Sequence, residues 1–361
     1  PLGSALIISP WNYPVQLLLN PLVGAISAGC TAVLKPSPYV PTVSAVIEKM
    51  ITDTFAPEYV AVVQGHREVN QALLAQRFDL IFFTGSPSLG KMVMEAASKH
   101  LTPVILELGG KSPCIVDRTA DIKLAAKRVA WGKTLNSGQT CIAPDYLLIH
   151  EEVKEEFVKA FAHAIKELHG KDIKTHKHYV RMVNDRAFER VKGYLAEGDI
   201  LYGGRTDAAE RFIEPTLLDT HISLSDGDAD EKANVKAVLT EEIFGPVFPI
   251  LTFKTLDEVT GYITRREKPL AFYYFGREAD GLNLIHRTSS GGACINDTIM
   301  HIANEHIPFG GVGNSGMGGY HGEESFRVFS HRRSVVATGT WIDLPFRYMP
   351  YRMFSLVKRI V

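Results

Sequence analysis

Short apolar runs alternate with stretches of helical length and composition over the first third of the chain. The apolar runs predict strands at 5–8, 31–34, 60–63, 80–83 and 104–106. The stretches between them predict helices at 20–28, 42–55, 67–75 and 88–99. This βαβ alternation predicts a parallel sheet that is covered on both faces and binds its ligands beyond the carboxyl ends of its strands.

A second alternating series begins after Lys111. It opens with a predicted strand at 114–116, and the helix predicted next carries Ile122 and Val129 on its apolar face. The polar stretch 223–236, with its SDGDAD core, is predicted to be a solvated surface loop. The second series therefore predicts a second α/β unit with a polar excursion near its middle.

The apolar run 5–26 raises the question of a membrane span or a signal peptide, because no charged residue precedes Lys35. Three prolines interrupt this run, and polar and aromatic residues lie in its middle. No basic segment precedes it, as a signal peptide would require. We therefore interpret the run as a buried strand, a loop and a buried helix.

The length of 361 residues exceeds the size at which single cores usually stop growing, so two domains are expected. The expected fold class is α/β, with a doubly wound parallel-sheet domain followed by a second α/β domain. We place the first domain at 1–108, the second at 109–314, and a further segment with a C-terminal tail at 315–361.

Charge and cysteine usage exclude several classes of partner. The formal net charge of -1 gives no field that would attract nucleic acid, so a small molecule is the expected partner. The four cysteines are widely separated without a CxxC pair, which argues against a disulfide framework or a zinc site and favours a reducing, cytoplasmic setting. The histidines include no HExxH, and the acidic stretch lacks EF-hand spacing, so no metal is predicted.

Cys141 is the cysteine whose surroundings suggest chemistry. A cysteine is more often a small buried residue, and that interpretation is kept for Cys30, Cys114 and Cys294. Residues 136–141 (NSGQTC) are small, polar and glycine-containing, which suits an exposed thiol surrounded by backbone N–H groups. Such amides could hold a developing oxyanion.

Glu107 lies immediately after a predicted strand and before two glycines. A carboxylate at the carboxyl end of a strand belongs in a cleft, where it could act as a general base. A surface-loop glutamate is the alternative. The presence of a candidate nucleophile at Cys141 favours the general base.

Two nucleotide sites compete for residues 84–91 (TGSPSLGK), which follow a strand and open a helix. The string matches a P-loop, but Met92 stands where Ser or Thr must hold magnesium, and Pro87 removes an amide. A dinucleotide site is therefore favoured, although GxGxxG is absent. Lys35 ends the second strand, where a cofactor ribose or phosphate would lie, unless it simply faces solvent. In residues 241–246 (EEIFGP), the carboxylates could accept hydrogen bonds from ribose hydroxyls, and the phenylalanine could pack against a ring.

Four strings in order resemble motifs of the aldehyde dehydrogenase superfamily, and most closely its class 3, fatty and aromatic branch. They are residues 10–14 (PWNYP), 107–113 (ELGGKSP), 138–146 (GQTCIAPDY) and 308–318 (PFGGVGNSGMG). The resemblance runs from Pro1 to about Val336. It implies oxidation of aldehydes, either medium- to long-chain aliphatic or aromatic, with NAD or NADP. It also implies that 1–108 is the cofactor domain, 109–314 the catalytic domain, and 315–361 a bridging or oligomerisation segment with a C-terminal tail.

Carried over residue by residue, the resemblance implies catalytic roles for Cys141, Glu107 and Asn12. Cys141 would attack the aldehyde carbonyl, while Asn12 and the Cys141 amide hold the oxyanion. Glu107 would activate the water that hydrolyses the resulting thioester. Lys35 and Ser37 would meet the adenosine ribose, Gly65 the adenine region, Ser86 the pyrophosphate, and Glu242 with Phe244 the nicotinamide ribose. The remaining implied cofactor contacts are Ile8, Trp11, Gly85 and Leu108.

Three departures from the family pattern matter. Family members carry an N-terminal segment before the position of Pro1, so we expect this chain to lack it and to form a homodimer only if the dimer surface is intact. Pro38 stands where an acidic residue often meets a ribose hydroxyl, which predicts that NADP is tolerated or preferred. Residues 226–236 look longer than the equivalent loop and have no assigned role.

The basic and aromatic stretch 345–361 could lie on a membrane surface, or it could pack on the protein as an ordinary terminus. The expected location is therefore cytoplasmic, with peripheral membrane contact as the alternative. Two further functions stay open. One is an acylating dehydrogenase that uses coenzyme A, against which Glu107 argues, and the other is a scaffold that keeps the fold without catalysis.

Overall fold

The computed structural model describes residues 1–343, 347–350 and 358–359. These residues form two compact units, 1–330 and 331–361. In the second unit, residues 331–343 are exposed and contain neither helix nor strand. Most of the stretch 345–361, for which membrane contact was suggested, lies outside the described residues.

The first unit alternates strands and helices along its whole length. In chain order the strands are β1 Ser4–Ile8, β2 Thr31–Lys35, β3 Val60–Val62, β4 Leu80–Gly85, β5 Val104–Leu108, β6 Pro113–Val116, β7 Tyr146–His150, β8 Asp199–Tyr202, β9 Thr206–Asp207, β10 Phe212–Ile213, β11 Thr216–Ser223, β12 Val247–Phe253, β13 Ala271–Phe275, β14 Gly292–Ile295 and β15 Gly316–Met317. The helices are α1 Gln16–Ser27, α2 Pro41–Thr54, α3 Arg67–Leu74, α4 Pro87–Ser98, α5 Ile122–Thr134, α6 Lys154–His169, α7 Asp185–Gly193, α8 Ala229–Asn234, α9 Ala237–Thr240, α10 Leu256–Thr264, α11 Glu278–Arg287 and α12 Gly322–Val328.

Two sheets organise this unit. The first has the order β15-β5-β4-β1-β2-β3, with β1 to β5 parallel and β15 antiparallel to β5. The second has the order β14-β13-β6-β7-β12-β11-β8, with β8 antiparallel to its neighbour. The predicted α/β class with two parallel-dominated sheets is confirmed. The domain bounds at 108 and 314 stay a prediction, although β15 shows that the chain returns to the first sheet.

The apolar run 5–26 folds as the sequence indicated, into β1, a loop and α1. Helix α1 begins at Gln16 and contains Pro21, whereas the prediction began it at residue 20. Burial of Leu17, Leu18 and Leu22 compensates for the backbone hydrogen bond that a proline cannot make. None of the described helices is long and apolar enough to cross a membrane.

Side-chain caps explain where several helices begin. The Ser86 hydroxyl accepts a hydrogen bond from the Leu89 amide at 3.4 Å, and Pro87 occupies the first turn of α4. The Asp121 carboxylate accepts from the Leu124 amide at 3.1 Å and starts α5. Helix α4 follows β4 and helix α5 follows β6. Each cap therefore sets where the connection between strand and helix ends.

The prediction of a surface loop over 223–236 is wrong in its second half. Helix α8 occupies Ala229–Asn234, and Ala229 and Ala233 are buried. These alanines lie four residues apart, so they share one helix face, and the short apolar signal was hidden among acidic residues. Asp230 also forms ion pairs with Arg265 and Arg266 at 2.7 and 2.9 Å.

Candidate active site

The carboxyl edge of the first sheet collects the residues predicted from strand ends. Strand pairing places Ile8 beside Lys35, Gly85 beside Leu108, and Thr84 beside Glu107. Parallel strands that end together form the rim where ligands bind in doubly wound sheets. The sequence-predicted residues of strands β1, β2, β4 and β5 are therefore brought to one edge.

The segment before Cys141 has an unusual backbone. A 3₁₀ turn at Leu135–Gly138 follows α5, and Asn136, Ser137 and Gly138 all have positive φ, at 49°, 54° and 72°. Such angles are costly for residues with a side chain, so the surroundings must hold the loop. The Ser137 hydroxyl donates to the carbonyl of Val180 and supplies part of that support.

Gln139 holds the loop two residues before the thiol. Its side-chain amide donates to the carbonyls of Asn136 and Arg181 at 3.1 and 3.2 Å, and its side-chain oxygen accepts from the Val183 amide at 3.0 Å. Gln139 is buried, and its amide nitrogen and oxygen are both paired. The conformation of the nucleophile loop is thus fixed from the side of the second sheet.

Cys141 is half-buried in a tight turn, in which the Thr140 carbonyl accepts from the Ala143 amide at 2.9 Å. Burial, followed by the charges of Glu242 and Glu107, raises the pKa of the Cys141 thiol to about 12. The backbone amides of Cys141 and Ile142 act in the opposite direction and lower the pKa of the thiol. These backbone N–H groups therefore favour negative charge on the sulfur or on an atom beside it.

Glu107 is 3% exposed, and neither of its carboxylate oxygens has a hydrogen-bond partner among the described residues. Burial raises the pKa of Glu107 well above its usual value. A raised pKa makes a carboxylate a stronger base, which suits proton abstraction near neutral pH. Because its charge also acts on Cys141, the structure places the predicted base and nucleophile in one site.

Asn12 reaches the nucleophile loop from the segment after β1. Its side-chain nitrogen donates to the Gln139 carbonyl at 3.1 Å, and its backbone carbonyl accepts from the side chain of Asn136 at 3.2 Å. A side-chain amide carries two N–H donors, so one remains for an oxyanion. The structure therefore places all three predicted catalytic residues around one turn.

Glu242 and Phe244 approach the same site from the opposite side. A Glu242 carboxylate oxygen accepts from the Gly110 amide at 3.1 Å. Burial, and then the charge of Asp145, raises the pKa of Glu242 to about 8. The rings of Phe244 and Trp11 pack edge to face with centroids 5.6 Å apart. Two of the predicted cofactor residues, Phe244 and Trp11, thus pack against each other.

A buried ion pair, which sequence reasoning missed, holds the segment that carries Glu242. Lys111 pairs with Asp145 and donates to the carbonyls of Val238 and Glu241 at 2.9 and 2.8 Å. Asp145 accepts in turn from the Ile243 amide at 2.9 Å. Lys111 and Asp145 both stand inside recognised motifs, but a single sequence does not show that they meet.

Lys35 does not face solvent as one alternative proposed. It is 1% exposed, its ammonium donates to the Pro36 carbonyl at 2.8 Å, and burial lowers the pKa of Lys35. Ser37 is also buried; its hydroxyl accepts from the Tyr39 amide at 3.3 Å and its carbonyl accepts from the Ser44 hydroxyl at 2.9 Å. Both residues are held in place at the end of β2.

Three more predicted cofactor residues lie along the same edge: Gly65 after β3, Ser86 at the start of α4, and Leu108 at the end of β5. Gly65 has a φ of 146°, and Ser86 is exposed at the start of α4. Leu108 packs so closely on Gly90 that an added β-carbon there would lie 2.7 Å from it. Helix α4 is thus packed on β5, while its first residues, beginning at the exposed Ser86, are accessible to an anion.

A dinucleotide fits this edge because polar atoms there have no protein partner. The buried oxygens of Ser9, Thr84 and Glu107 and the side-chain oxygen of Asn12 are unpaired among the described residues. All four lie on or just after the ends of β1, β4 and β5. Buried polar groups are normally hydrogen-bonded, so a row of unpaired ones indicates a ligand site.

The other cysteines lie apart from this chemistry. Cys30 and Cys114 are buried, as predicted, and burial raises the pKa of Cys114. Cys294 is half-buried rather than fully buried, with its sulfur 3.3 Å from Nδ1 of His301. Among the described residues, no cluster of His, Cys, Asp or Glu has the geometry of a metal site.

Residues 1–335 match the model of the aldehyde dehydrogenase family. The chain belongs to this family. The chain is 46% identical to 4,4'-diaponeurosporen-aldehyde dehydrogenase of Staphylococcus aureus over 99% of this chain and 76% of that protein. It is also 46% identical to the dimeric NADP-preferring aldehyde dehydrogenase of Rattus norvegicus, over 93% and 72%.

A solved structure, the substrate-bound state of Staphylococcus aureus AldH, superposes with a TM-score of 0.93 at 45% identity, covering all of this chain and 77% of that one. Other relatives at 44–46% identity are named family 3 aldehyde dehydrogenases. The resemblance stated from the motifs is therefore confirmed. The protein is an NAD(P)-dependent aldehyde dehydrogenase that oxidises aldehydes.

Proposed function

We propose that Cys141 is the nucleophile and that the reaction proceeds through a thioester on its sulfur. The thiol loses its proton to solvent as the sulfur bonds to the aldehyde carbon, and the oxygen of the adduct accepts hydrogen bonds from the Cys141 amide and the free N–H of Asn12. A bound NAD(P) would supply the acceptor for the hydride of the aldehyde carbon, which leaves a thioester on Cys141. The observation that carries the proposal is a thiol that faces backbone N–H groups beside a buried, unpaired Glu107.

Glu107 is proposed to release the product. Hydrolysis of a thioester requires a base that takes a proton from water while the water oxygen attacks the carbonyl carbon. No hydrogen bond from the described residues engages the Glu107 carboxylate, and its raised pKa favours accepting a proton. The proton then passes to the leaving sulfur, which restores the thiol and frees a carboxylic acid.

Lys35 and Ser37 are proposed to hold the adenosine ribose, Gly65 the adenine region, Ser86 the pyrophosphate, and Glu242 with Phe244 the nicotinamide ribose. For the first four, support comes from their position just at or after the ends of β2, β3 and β4, beside the unpaired oxygens of Ser9 and Thr84. For Glu242 and Phe244, support comes from the bond of Glu242 to the Gly110 amide and from the packing of Phe244 on Trp11. We also propose that NADP is tolerated or preferred, because Pro38 supplies no carboxylate to repel a 2′-phosphate. The rat relative is named NADP-preferring.

The proposed substrates are medium- to long-chain aliphatic or aromatic aldehydes. Support comes from the Staphylococcus relative, whose name specifies the aldehyde of diaponeurosporene. We also propose a homodimer, in line with the rat relative that is named dimeric. We also propose a cytoplasmic location, with peripheral membrane contact through the stretch 345–361.

The test is NAD(P)H formation, followed by absorbance, with a medium-chain and an aromatic aldehyde and either NAD or NADP. Turnover without coenzyme A, lost in Cys141→Ser and kept in the control Cys294→Ser, is expected. Glu107→Gln should form one equivalent of NAD(P)H and then stall at the thioester, because only hydrolysis is blocked. A kcat/KM with NAD that greatly exceeds the kcat/KM with NADP would refute the prediction that NADP is tolerated or preferred, and nothing else.

Two outcomes would overturn the proposed chemistry. Turnover that requires coenzyme A would indicate an acylating enzyme instead. A folded protein that binds NAD(P) but reduces none with any aldehyde would contradict the catalytic role of Cys141, and one that fails to bind NAD(P) would favour a scaffold.

A further inference from the structure

Two hydroxyl groups beside the proposed catalytic residues form a pair that the mechanism above does not use. The hydroxyls of Tyr13 and Thr140 lie 2.8 Å apart, and this is the one hydrogen bond that either makes among the described residues. Tyr13 follows Asn12 in the chain, and Thr140 precedes Cys141. The pair therefore joins the neighbour of the proposed oxyanion donor to the neighbour of the proposed nucleophile.

The pair completes a set of bonds between two loops that come from different sheets. Asn12 donates to the Gln139 carbonyl, and Asn136 donates to the Asn12 carbonyl, so both of these bonds engage positions two or more residues before Cys141. Of the bonds that the described residues make between these two loops, only the one between Tyr13 and Thr140 reaches the residue next to the thiol. It is the last connection before the sulfur.

Both ends of this connection are anchored. The Tyr13 carbonyl accepts from the Leu17 amide at 3.0 Å, which ties Tyr13 to the start of α1. Thr140 is buried, and its carbonyl accepts from the Ala143 amide, which closes the turn that contains Cys141. The charge of a Cys141 thiolate adds to the effect of burial in raising the pKa of Tyr13, so the phenol lies within electrostatic reach of the sulfur.

We propose that Tyr13 and Thr140 are positioning residues that set the Cys141 sulfur against the side-chain amide of Asn12. The inference rests on the proposed function, because it assumes that these two groups act on one carbonyl. Catalysis falls by about 100-fold when a reacting group is misplaced by 1 Å. Loss of one hydrogen bond that allows a smaller displacement should lower kcat by about 10-fold.

The experiment compares the wild-type protein with four variants: Tyr13→Phe, Thr140→Val, the double variant and Thr140→Ser. Each single hydroxyl removal should lower kcat about 10-fold and leave KM for NAD(P) unchanged, since neither hydroxyl is bonded to Lys35 or Ser37 among the described residues. The double variant should lose no more than either single one, because both changes remove the same bond. Thr140→Ser should keep most of kcat. Tyr59→Phe, at a half-buried tyrosine remote from the turn, is the control.

Folding and function can be separated. A merely structural role would lower the thermal midpoint, give additive losses, and fail to recover with Thr140→Ser. Unchanged kcat in both single variants, or an additive double variant, would overturn the proposal. If the wild type turns over no aldehyde, the proposed function fails, and the pair is then judged by alkylation of Cys141 with iodoacetamide. Equal changes of that rate in the single and double variants would support the pair, and unchanged rates would refute it.

Discussion

Gly138→Ala tests whether the nucleophile loop depends on a backbone shape that only glycine can supply. Gly138 has a φ of 72°, and a β-carbon added there would lie 2.7 Å from the carbonyl carbon of Gly245. The substitution thus meets two separate penalties. A left-handed angle costs a residue with a β-carbon about 1–2 kcal/mol, and overlap with rigid neighbours costs about 1–3 kcal/mol.

Two other glycines separate these penalties. Gly170 has a φ of 80° with nothing within 4 Å, so Gly170→Ala meets the angle penalty alone. The smaller entropy of an unfolded alanine offsets part of this penalty, which leaves about 0.5–1 kcal/mol of destabilisation. Gly193 ends α7 with ordinary φ and open space around it. Gly193→Ala meets neither penalty and should stabilise the protein by about 0.5 kcal/mol.

The assay is thermal unfolding together with the rate of NAD(P)H formation. At about 2 °C per kcal/mol, Gly138→Ala should lower the midpoint by about 3–8 °C, Gly170→Ala by about 1–2 °C, and Gly193→Ala should raise it slightly. Only Gly138→Ala should also lower kcat, because it moves the loop three residues before Cys141. A Gly138→Ala protein with the stability and kcat of Gly170→Ala would refute the reasoning.

Two further predictions concern the charges near Cys141. Because the pKa of Glu242 is raised to about 8, its carboxyl is mostly neutral at about pH 7 and charged above pH 8. Its charge raises the pKa of Cys141, so Glu242→Gln should match the wild type in iodoacetamide alkylation at about pH 7 and react about 10-fold faster at about pH 10. A ratio that stays constant with pH would contradict this. Asp145→Asn should lower the free energy of unfolding in denaturant by about 3 kcal/mol because it leaves the mostly buried Lys111 unpaired, whereas the exposed control Asp53→Asn should change it by less than about 1 kcal/mol. Equal effects of the two substitutions would show that the buried pair does not stabilise the site.

The sequence predicted the strands and the ends at which the site is built. Alternating apolar runs located β1 to β6 within two residues, since buried parallel strands are continuous apolar runs that few other structures imitate. It follows that Lys35, Glu107 and the segment at 84–86 had to lie on one edge. Helix α8 was missed because its buried alanines contribute little hydrophobic signal within an acidic stretch.

Contacts between distant segments could not be predicted. The pairs Lys111–Asp145 and Tyr13–Thr140 join residues 34 and 127 positions apart. Their residue types are compatible with many partners, and only the tertiary structure selects one. The burial of Lys35 was likewise invisible, because a lysine at a strand end is usually solvent-exposed and nothing in its neighbours marks this one.

The polar groups around Cys141 divide into two kinds, and the division explains how one site can be both rigid and reactive. One kind is fully hydrogen-bonded, and comprises the side chains of Asp145, Gln139 and Lys111. Their bonds to backbone amides and carbonyls hold the surrounding loops in place. The other kind comprises the Glu107 carboxylate and the side-chain oxygen of Asn12. They lie in the same site, and neither has a hydrogen-bond partner among the described residues. Leaving a carboxyl buried and unpaired costs stability, so such a group persists only where the surrounding structure is stable enough to hold it. The paired network supplies that stability, and the unpaired atoms are the ones left to bind substrate, water and cofactor.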